Sequence, residues 1–169
     1  MGDVIMNFYR IKQFFWSLTA KIDEKDFNYL KKNLNNKELQ LFLKLSKQEQ
    51  KHSVKVARDV EIECKKRKSK PGELVKISLL HDIGKIYKKL NVIDKSILVL
   101  ADRITNGNIR KINRLKKIEV YFNHGAIGYE ILKNSGISER ALYLIKNHHN
   151  NNIIGDMELN ILRKCDSNN

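Results

Sequence analysis

Almost nothing in this sequence interrupts a helix. The 169 residues include one proline and eight glycines, the two residue types that most strongly break regular helices. Apolar residues recur every three or four positions over long stretches, which is the spacing of one helix face. No stretch sustains the apolar–polar alternation of a half-buried strand. Hydrophobic residues make up 41% of the chain, enough for a core at this length. The sequence therefore predicts an all-α protein.

Capping residues and breakers predict where these helices begin and end. Asp23 and Ser138 are short polar side chains of the kind that cap helix N-termini, and further helices are expected to begin at Asn36, at Ser46 and near Asp156. Pro71 suits the first turn of another helix, which runs through Leu80 into a turn that Gly84 permits. A further helix is expected over residues 94–104, followed by a basic, irregular stretch. Helix then resumes over residues 124–132.

Two regions are expected along the chain. Residues 1–45 form a helical lead-in that packs on the rest, and residues 46–169 form the main domain. At the start of the lead-in, apolar side chains recur at helical spacing: Ile5, Phe8, Ile11, Phe15 and Leu18. This stripe favours a core-facing helix over one lying on a membrane, and a dimer contact is an alternative use for it.

Charge and cysteine content limit the environment and the partners. The chain has 33 lysines and arginines against 19 aspartates and glutamates, a balance that attracts nucleotides, phosphates, nucleic acid or acidic lipids. A lysine-rich surface without a specific partner explains the same balance equally well. Cys64 and Cys165 indicate no disulfide framework, and no signal peptide or membrane span is evident. We therefore expect a cytoplasmic protein.

The dipeptide His81-Asp82 is the strongest sign of chemistry in the sequence. It follows the apolar run Ile77–Leu80, which should place it at the floor of a cleft. Burying an imidazole and a carboxylate without partners costs several kcal/mol. Either the two side chains pair with each other or a metal ion binds both. We favour a functional pair over a purely structural one.

The string HDIGK at residues 81–85, with His52 about thirty residues upstream, resembles the HD phosphohydrolase superfamily. His124 in NHGAIGYEIL and His148 in LIKNHHN are similar to the additional ligands of its two-metal branch. Asp166 in LNILRKCD matches the closing aspartate of the family. The resemblance covers residues 46–166 and implies a single HD-type helical bundle.

The resemblance also implies a metal centre. Its ligands would be His52, His81, Asp82, His124, His148 and Asp166, holding two divalent ions with Asp82 as the bridge. Iron is expected first, with manganese, zinc or magnesium as alternatives. Lys85 is expected to act beside Asp82 on a phosphate oxygen. The remaining substrate contacts are expected from His149, Arg103 and Arg110.

The predicted activity is hydrolysis of a phosphate ester or phosphoanhydride in a nucleotide-type substrate. The motif spacing is most similar to the bacterial branch that cleaves dinucleoside tetraphosphates symmetrically. A cyclic-dinucleotide phosphodiesterase is less favoured, because no Gly-Tyr-Pro signature follows the His-His pair and Gln48 offers no carboxylate one turn before His52. A non-catalytic HD-like binding module is the other alternative. We expect a phosphorylated small molecule as partner, no stable nucleic acid and no membrane, and leave a homodimer open.

Overall fold

The computed structural model describes residues 21–112 and 114–169 of the chain. Within these ranges it contains α-helices and short 3₁₀ turns and no β-strand, which confirms the all-α prediction there. The predicted helix in residues 1–20 lies outside the described residues. The helices are α1 Glu24–Asn33, α2 Asn36–Phe42, α3 Lys47–Lys66, α4 Leu74–Leu80, α5 Val92–Ile104, α6 Lys116–Leu132, α7 Glu139–Asn147 and α8 Met157–Ser167, and the 3₁₀ turns are Ile83–Ile86 and Asn108–Lys111.

Side-chain caps are present at four of the predicted helix starts. The side chains of Asp23, Ser46, Ser138 and Asp156 each accept a hydrogen bond from the backbone N–H three residues later. Such caps contribute about 1 kcal/mol each. Pro71 lies ahead of α4 and not within its first turn, because the chain first makes a turn in which Leu74 donates to the Pro71 carbonyl.

The start of α6 differs from the prediction. This helix begins at Lys116, about two turns before His124. Ile118 and Val120 in the early turns are buried. Because most of the residues around them are polar, the sequence showed no apolar helix face there. His124 therefore lies in the middle of a helix and is not a capping residue.

The main hydrophobic core lies around α3 and α4, with α7 and α8 packed against them. Leu30 of α1 and Phe42 of α2 belong to the same core, whereas the predicted domain division at residue 45 stays a prediction. A second, smaller cluster joins α5, the following 3₁₀ turn and the first half of α6: Leu90, Leu98, Ile109, Ile118 and Val120. No helix among the described residues has the length and apolar character needed to cross a bilayer.

Candidate metal centre

All five histidines of the chain converge at one point of the bundle. His52 comes from α3, His81 from the end of α4 and His124 from the middle of α6. His148 and His149 directly follow α7. Asp82 after α4 and Asp166 in α8 complete the cluster. Seven side chains with metal-ligand chemistry therefore meet from five helices.

One set of contacts lies on the side of α3 and α8. The Nε2 atom of His52 is 2.9 Å from Oδ1 of Asp166 and 3.8 Å from Oδ2 of Asp82. Nε2 of His81 is 3.3 Å from the same Asp166 oxygen and 3.5 Å from the same Asp82 oxygen. We refer to His52, His81 and Asp166 as the first set; their ligand atoms lie close enough together to hold one metal ion.

The second set consists of three histidines, His124, His148 and His149. Nε2 of His124 is 3.2 Å from Nε2 of His148 and 3.1 Å from Nε2 of His149. The same His124 atom is 3.2 Å from Oδ1 of Asp82. These imidazoles could hold a second ion. Asp82 therefore turns one carboxylate oxygen toward each set.

The backbone orients three of the imidazoles. His81, His124 and His148 each place Nδ1 near a backbone carbonyl three or four residues earlier, at 2.7, 3.1 and 2.7 Å. A carbonyl only accepts, so each Nδ1 carries a hydrogen and donates it. In a neutral ring, Nε2 is then a bare lone pair. All three Nε2 atoms face the centre of the cluster, as metal-ligating histidines do.

The buried polar atoms of the centre fit a bound cation. Nε2 of His81 and Oδ1 of Asp82 are buried without a hydrogen-bond partner. The Nε2 atoms of His124 and His148 face each other as two lone pairs, which repel unless a proton or a metal ion lies between them. Leaving such groups unsatisfied costs several kcal/mol. A divalent ion in each set would satisfy all four atoms.

The electrostatics of the first set favour positive charge. Burial lowers the pKa of His81, but the carboxylates of Asp82 and Asp166 outweigh it and raise that pKa to about 9. Burial raises the pKa of Asp82, yet Lys85 and His81 hold it well below its usual range. Burial acts on Asp166 in the same direction and is outweighed by its hydrogen bond with His52 and by the nearby imidazole of His81, so its pKa is lowered as well. Both carboxylates are ionised at neutral pH.

Two of the three imidazoles in the second set, those of His148 and His149, stay neutral. Burial, followed by the neighbouring imidazoles, lowers the pKa of His148 well below its ordinary value. Burial and His124 lower the pKa of His149 to about 4. Neutral imidazole is the form that binds a metal, so at neutral pH these two rings are ready to act as ligands.

A scan against protein-family models matches the HD domain over residues 50–167. That range is most of the chain and contains every member of the cluster. The chain belongs to the HD-domain family. HD domains are in general metal-dependent hydrolases, and their centres hold divalent metal ions. Searches of curated proteins and of solved structures found no match. The dinucleoside-tetraphosphatase branch therefore stays a prediction.

Lys85 of the HD domain lies beside Asp82, and its action on a phosphate oxygen stays a prediction; two residues near it were missed. Its Nζ donates to Oδ2 of Asp82 at 2.6 Å and to Oε2 of Glu49 at 3.4 Å. The other oxygen of Glu49 accepts from Lys95 of α5. Glu49 is only 6% exposed, and Lys85 with Asp82 and Glu49 around it has a raised pKa despite burial. A buried carboxylate thus joins two lysines beside the metal ligands.

Arg163 is a third residue that the sequence analysis missed. Its guanidinium donates to four backbone carbonyls in the loop that carries the last two histidines: Asn147, His148, Asn150 and Ile153. Arginine suits this task because its five N–H donors are held in one plane. Arg163 lies in the string LNILRKCD beside Asp166, but neither it nor Glu49 nor Lys95 is marked out by residue type, and only the contacts reveal their place in the site.

Gly84 has a different role from the predicted one. It lies in the first 3₁₀ turn with an ordinary backbone conformation, so no left-handed turn requires glycine there. A Cβ atom on Gly84 would lie 2.0 Å from the His124 carbonyl oxygen. The glycine therefore allows the turn after Asp82 to pack directly on α6, which brings Asp82 and His124 together.

The two arginines predicted to bind substrate lie elsewhere. Arg110 pairs with Asp102 at 2.8 and 2.6 Å and lies over the ring of Phe122. Arg103 is exposed. Among the described residues, neither contacts the cluster, and their role in substrate binding stays a prediction.

Proposed function

We propose that this HD domain is a two-metal phosphohydrolase that cleaves a phosphoanhydride or phosphate ester of a nucleotide-type substrate. The observation that supports this most directly is the position of Asp82. Its two carboxylate oxygens face two separate sets of ligands, at 3.5 Å from His81 and 3.2 Å from His124. A carboxylate shared in this way suits a pair of metal ions rather than one.

One ion would be held by His52, His81 and Asp166, the other by His124, His148 and His149, with Asp82 shared. His149 thus becomes a proposed ligand in addition to the six expected from the sequence. Mixed imidazole and carboxylate donors suit iron, manganese or zinc better than magnesium, and we propose iron first. Divalent ions held there would polarise a phosphoryl oxygen and acidify water.

The protein supplies a fixed positive charge beside the metal ligands. Lys85 stays protonated because Asp82 and Glu49 surround its ammonium group. With a substrate phosphoryl group in place, this ammonium would donate to one of its oxygens and stabilise the negative charge that develops there. Glu49 limits where Lys85 can point, so the charge is positioned before the substrate arrives.

For the substrate we propose a dinucleoside polyphosphate. The strong positive charge of the chain suits a polyanion better than a monoester. The motif spacing from His124 to Asp166 supports the same choice. A cyclic dinucleotide is the alternative substrate, and a non-catalytic module the alternative function.

The test combines metal analysis with turnover. We would load the protein with Fe(II) or Mn(II) without oxygen and incubate it with dinucleoside tetraphosphates, mononucleotides and cyclic dinucleotides. The Asp82→Asn variant keeps the shape of the side chain and removes its charge. Asp59→Asn, on the same helix as His52 but outside the cluster, is the matched control.

We expect cleavage of the dinucleoside tetraphosphate that Asp82→Asn abolishes and Asp59→Asn retains, with two ions bound per chain in the parent protein. Cleavage of a cyclic dinucleotide instead would assign the other branch. Bound metal without cleavage of any compound would favour the non-catalytic module. Absence of both metal and turnover would overturn the proposed function.

A further inference from the structure

Helix α5 presents its apolar side to solvent. Four large apolar side chains, spaced by four, three and four residues, share one face and are between 59 and 72% exposed: Ile93, Ile97, Leu100 and Ile104. We call these four residues the outer face of α5. The charged residues Lys95 and Asp102 turn away from it and pair with Glu49 and Arg110. Surface helices normally do the reverse.

The chain after α5 extends this apolar surface. Arg110 pairs with Asp102 near the end of α5, and Lys117 pairs with Asp94 near its beginning. The segment between these two contacts therefore runs back along the helix. It carries two further apolar side chains that are about half exposed: Ile112 and Leu115. Six of the twelve large apolar side chains exposed in the described part of the chain thus lie in this one region, which marks an interaction surface.

The part of the chain that carries the apolar surface is rich in basic residues. Between Lys85 and Lys117 the sequence has ten lysines and arginines and only two acidic residues. Both acidic residues, Asp94 and Asp102, are already paired with basic side chains of the same region. Six exposed basic side chains are not used in those pairs: Lys88, Lys89, Arg103, Lys111, Arg114 and Lys116.

We infer that the outer face of α5 docks on the surface of an anionic lipid bilayer. Its aliphatic residues would enter the boundary between headgroups and acyl chains, with the helix lying in the plane of the membrane. The surrounding lysines and arginines would bind lipid phosphates. No helix among the described residues is long and apolar enough to cross a bilayer, but lying on the membrane surface requires no span.

Other occupants fit less well. A second copy would bring two strongly basic surfaces together, and like charges repel. Single-stranded nucleic acid is bound by basic surfaces that carry stacking aromatic rings, whereas the exposed stripe here is aliphatic. An anionic bilayer satisfies the apolar stripe and the positive charge together.

The test is cosedimentation of the full chain with vesicles. We expect binding to vesicles that mix phosphatidylcholine with phosphatidylglycerol and none to phosphatidylcholine alone. Ile97→Ser with Leu100→Ser should weaken binding at least about tenfold, because both apolar side chains would be lost from the membrane. Lys111→Gln with Arg114→Gln should weaken it about tenfold and make it less sensitive to salt.

Two matched controls locate the surface. Ile154→Ser removes another exposed apolar side chain, and Lys65→Gln with Lys66→Gln removes charge from a different basic cluster; both should bind like the parent. Equal losses in the controls, or no binding to anionic vesicles, would overturn the inference.

A fluorescent label at position 97 would distinguish between a bilayer and the other partners that could cover the outer face of α5. An environment-sensitive fluorophore on Ile97→Cys should shift to the blue when anionic vesicles are added; Cys64 and Cys165 are buried and should not react. A spectrum already blue without lipid would show that residues 1–20 or a second copy covers the face, and light scattering would tell these two apart. Either result would overturn the bilayer proposal.

Discussion

At the residue scale, Asp82 is the side chain that connects the two ligand sets of the metal centre. It is 1% exposed, and its two oxygens contact imidazoles of both sets as well as the ammonium of Lys85. An asparagine of the same size could not replace it, because asparagine has one neutral oxygen where aspartate has two that share a negative charge. Other residues act on the centre indirectly, by holding the backbone that presents the ligands, and Arg163 is the clearest of them.

Arg163→Lys should loosen the loop that carries His148 and His149. An ammonium group cannot reach all four carbonyls that the guanidinium binds, so we expect a loss of about 2 kcal/mol in the free energy of unfolding. The second set should then lose its metal ion while the first keeps its own. Metal content per chain and urea unfolding would measure both effects. Arg67→Lys, at a surface pair with Glu63, is the control; an equal change in it would contradict the assignment.

Asp156 should contribute stability that depends on pH. It caps α8 and accepts two hydrogen bonds from Arg140, which lowers the pKa of Asp156. A carboxyl whose pKa is lowered by folding stabilises the fold fully above its unfolded value of about 4. This contribution is lost as the pH falls through the lowered folded value.

Asp156→Asn keeps the cap and removes the charge, whereas Asp156→Ala removes both. We expect the alanine variant to be about 1 kcal/mol less stable than the asparagine variant at every pH. The difference between the parent and the asparagine variant should shrink as the pH falls below about 4. Urea unfolding at several pH values would measure both differences. A pH-independent difference would show that Arg140 contributes no charge interaction.

At the element scale, the contact between the first 3₁₀ turn and α6 brings the two halves of the centre together. Glycines on both sides permit it: Gly84 in the turn and Gly128 in the helix. A Cβ atom on Gly84 would meet the His124 carbonyl oxygen at 2.0 Å and push the turn away from α6. The distance between the two ligand sets is therefore set by backbone packing as much as by the ligands.

The two glycines should differ in how they tolerate alanine. At Gly84 the new Cβ would lie 2.0 Å from the His124 carbonyl oxygen, whereas at Gly128 the nearest atoms are 3.2 and 3.3 Å away. We expect Gly84→Ala to cost about 3 kcal/mol or more of unfolding free energy and Gly128→Ala to cost less. Thermal unfolding of both variants would check the order. Equal melting temperatures would contradict the packing shown here.

At the scale of the whole molecule, the metal centre links helices that are distant in the sequence. His52 and Asp166 are in direct contact although 114 residues separate them. Metal ions bound only by the folded arrangement would therefore stabilise the entire bundle.

Metal loading should raise the melting temperature. A hundredfold excess of Mn(II) over its dissociation constant adds about 3 kcal/mol per ion, which corresponds to a rise of roughly 6–12 °C for a chain of this size. A chelator should reverse the rise, and Asp82→Asn should show little of it. Differential scanning calorimetry would measure the shift. An equal rise in Asp82→Asn would mean that the metal binds elsewhere.

Local features made the helices and several ligands predictable. Periodicity and caps act within a few residues, so Asp23, Ser46, Ser138 and Asp156 marked true helix starts. His81-Asp82 was recognisable because an apolar helix leads directly into it. The start of α6 could not be recognised from the sequence. The second core, which buries Ile118 and Val120, exists only once α5 packs against α6.

The sequence by itself determined the all-helical class, the HD motif and the set of side chains able to bind metal, because each depends on neighbours along the chain. Only the tertiary structure decided that Asp82 lies between two ligand sets, that Glu49 joins Lys85 to Lys95, and that Arg163 holds the histidine loop. It also decided that α5 turns its apolar face outward. These features depend on contacts between segments that are distant in the sequence. Backbone packing decides which of those segments meet, and the spacing of residues along the chain does not reveal that packing.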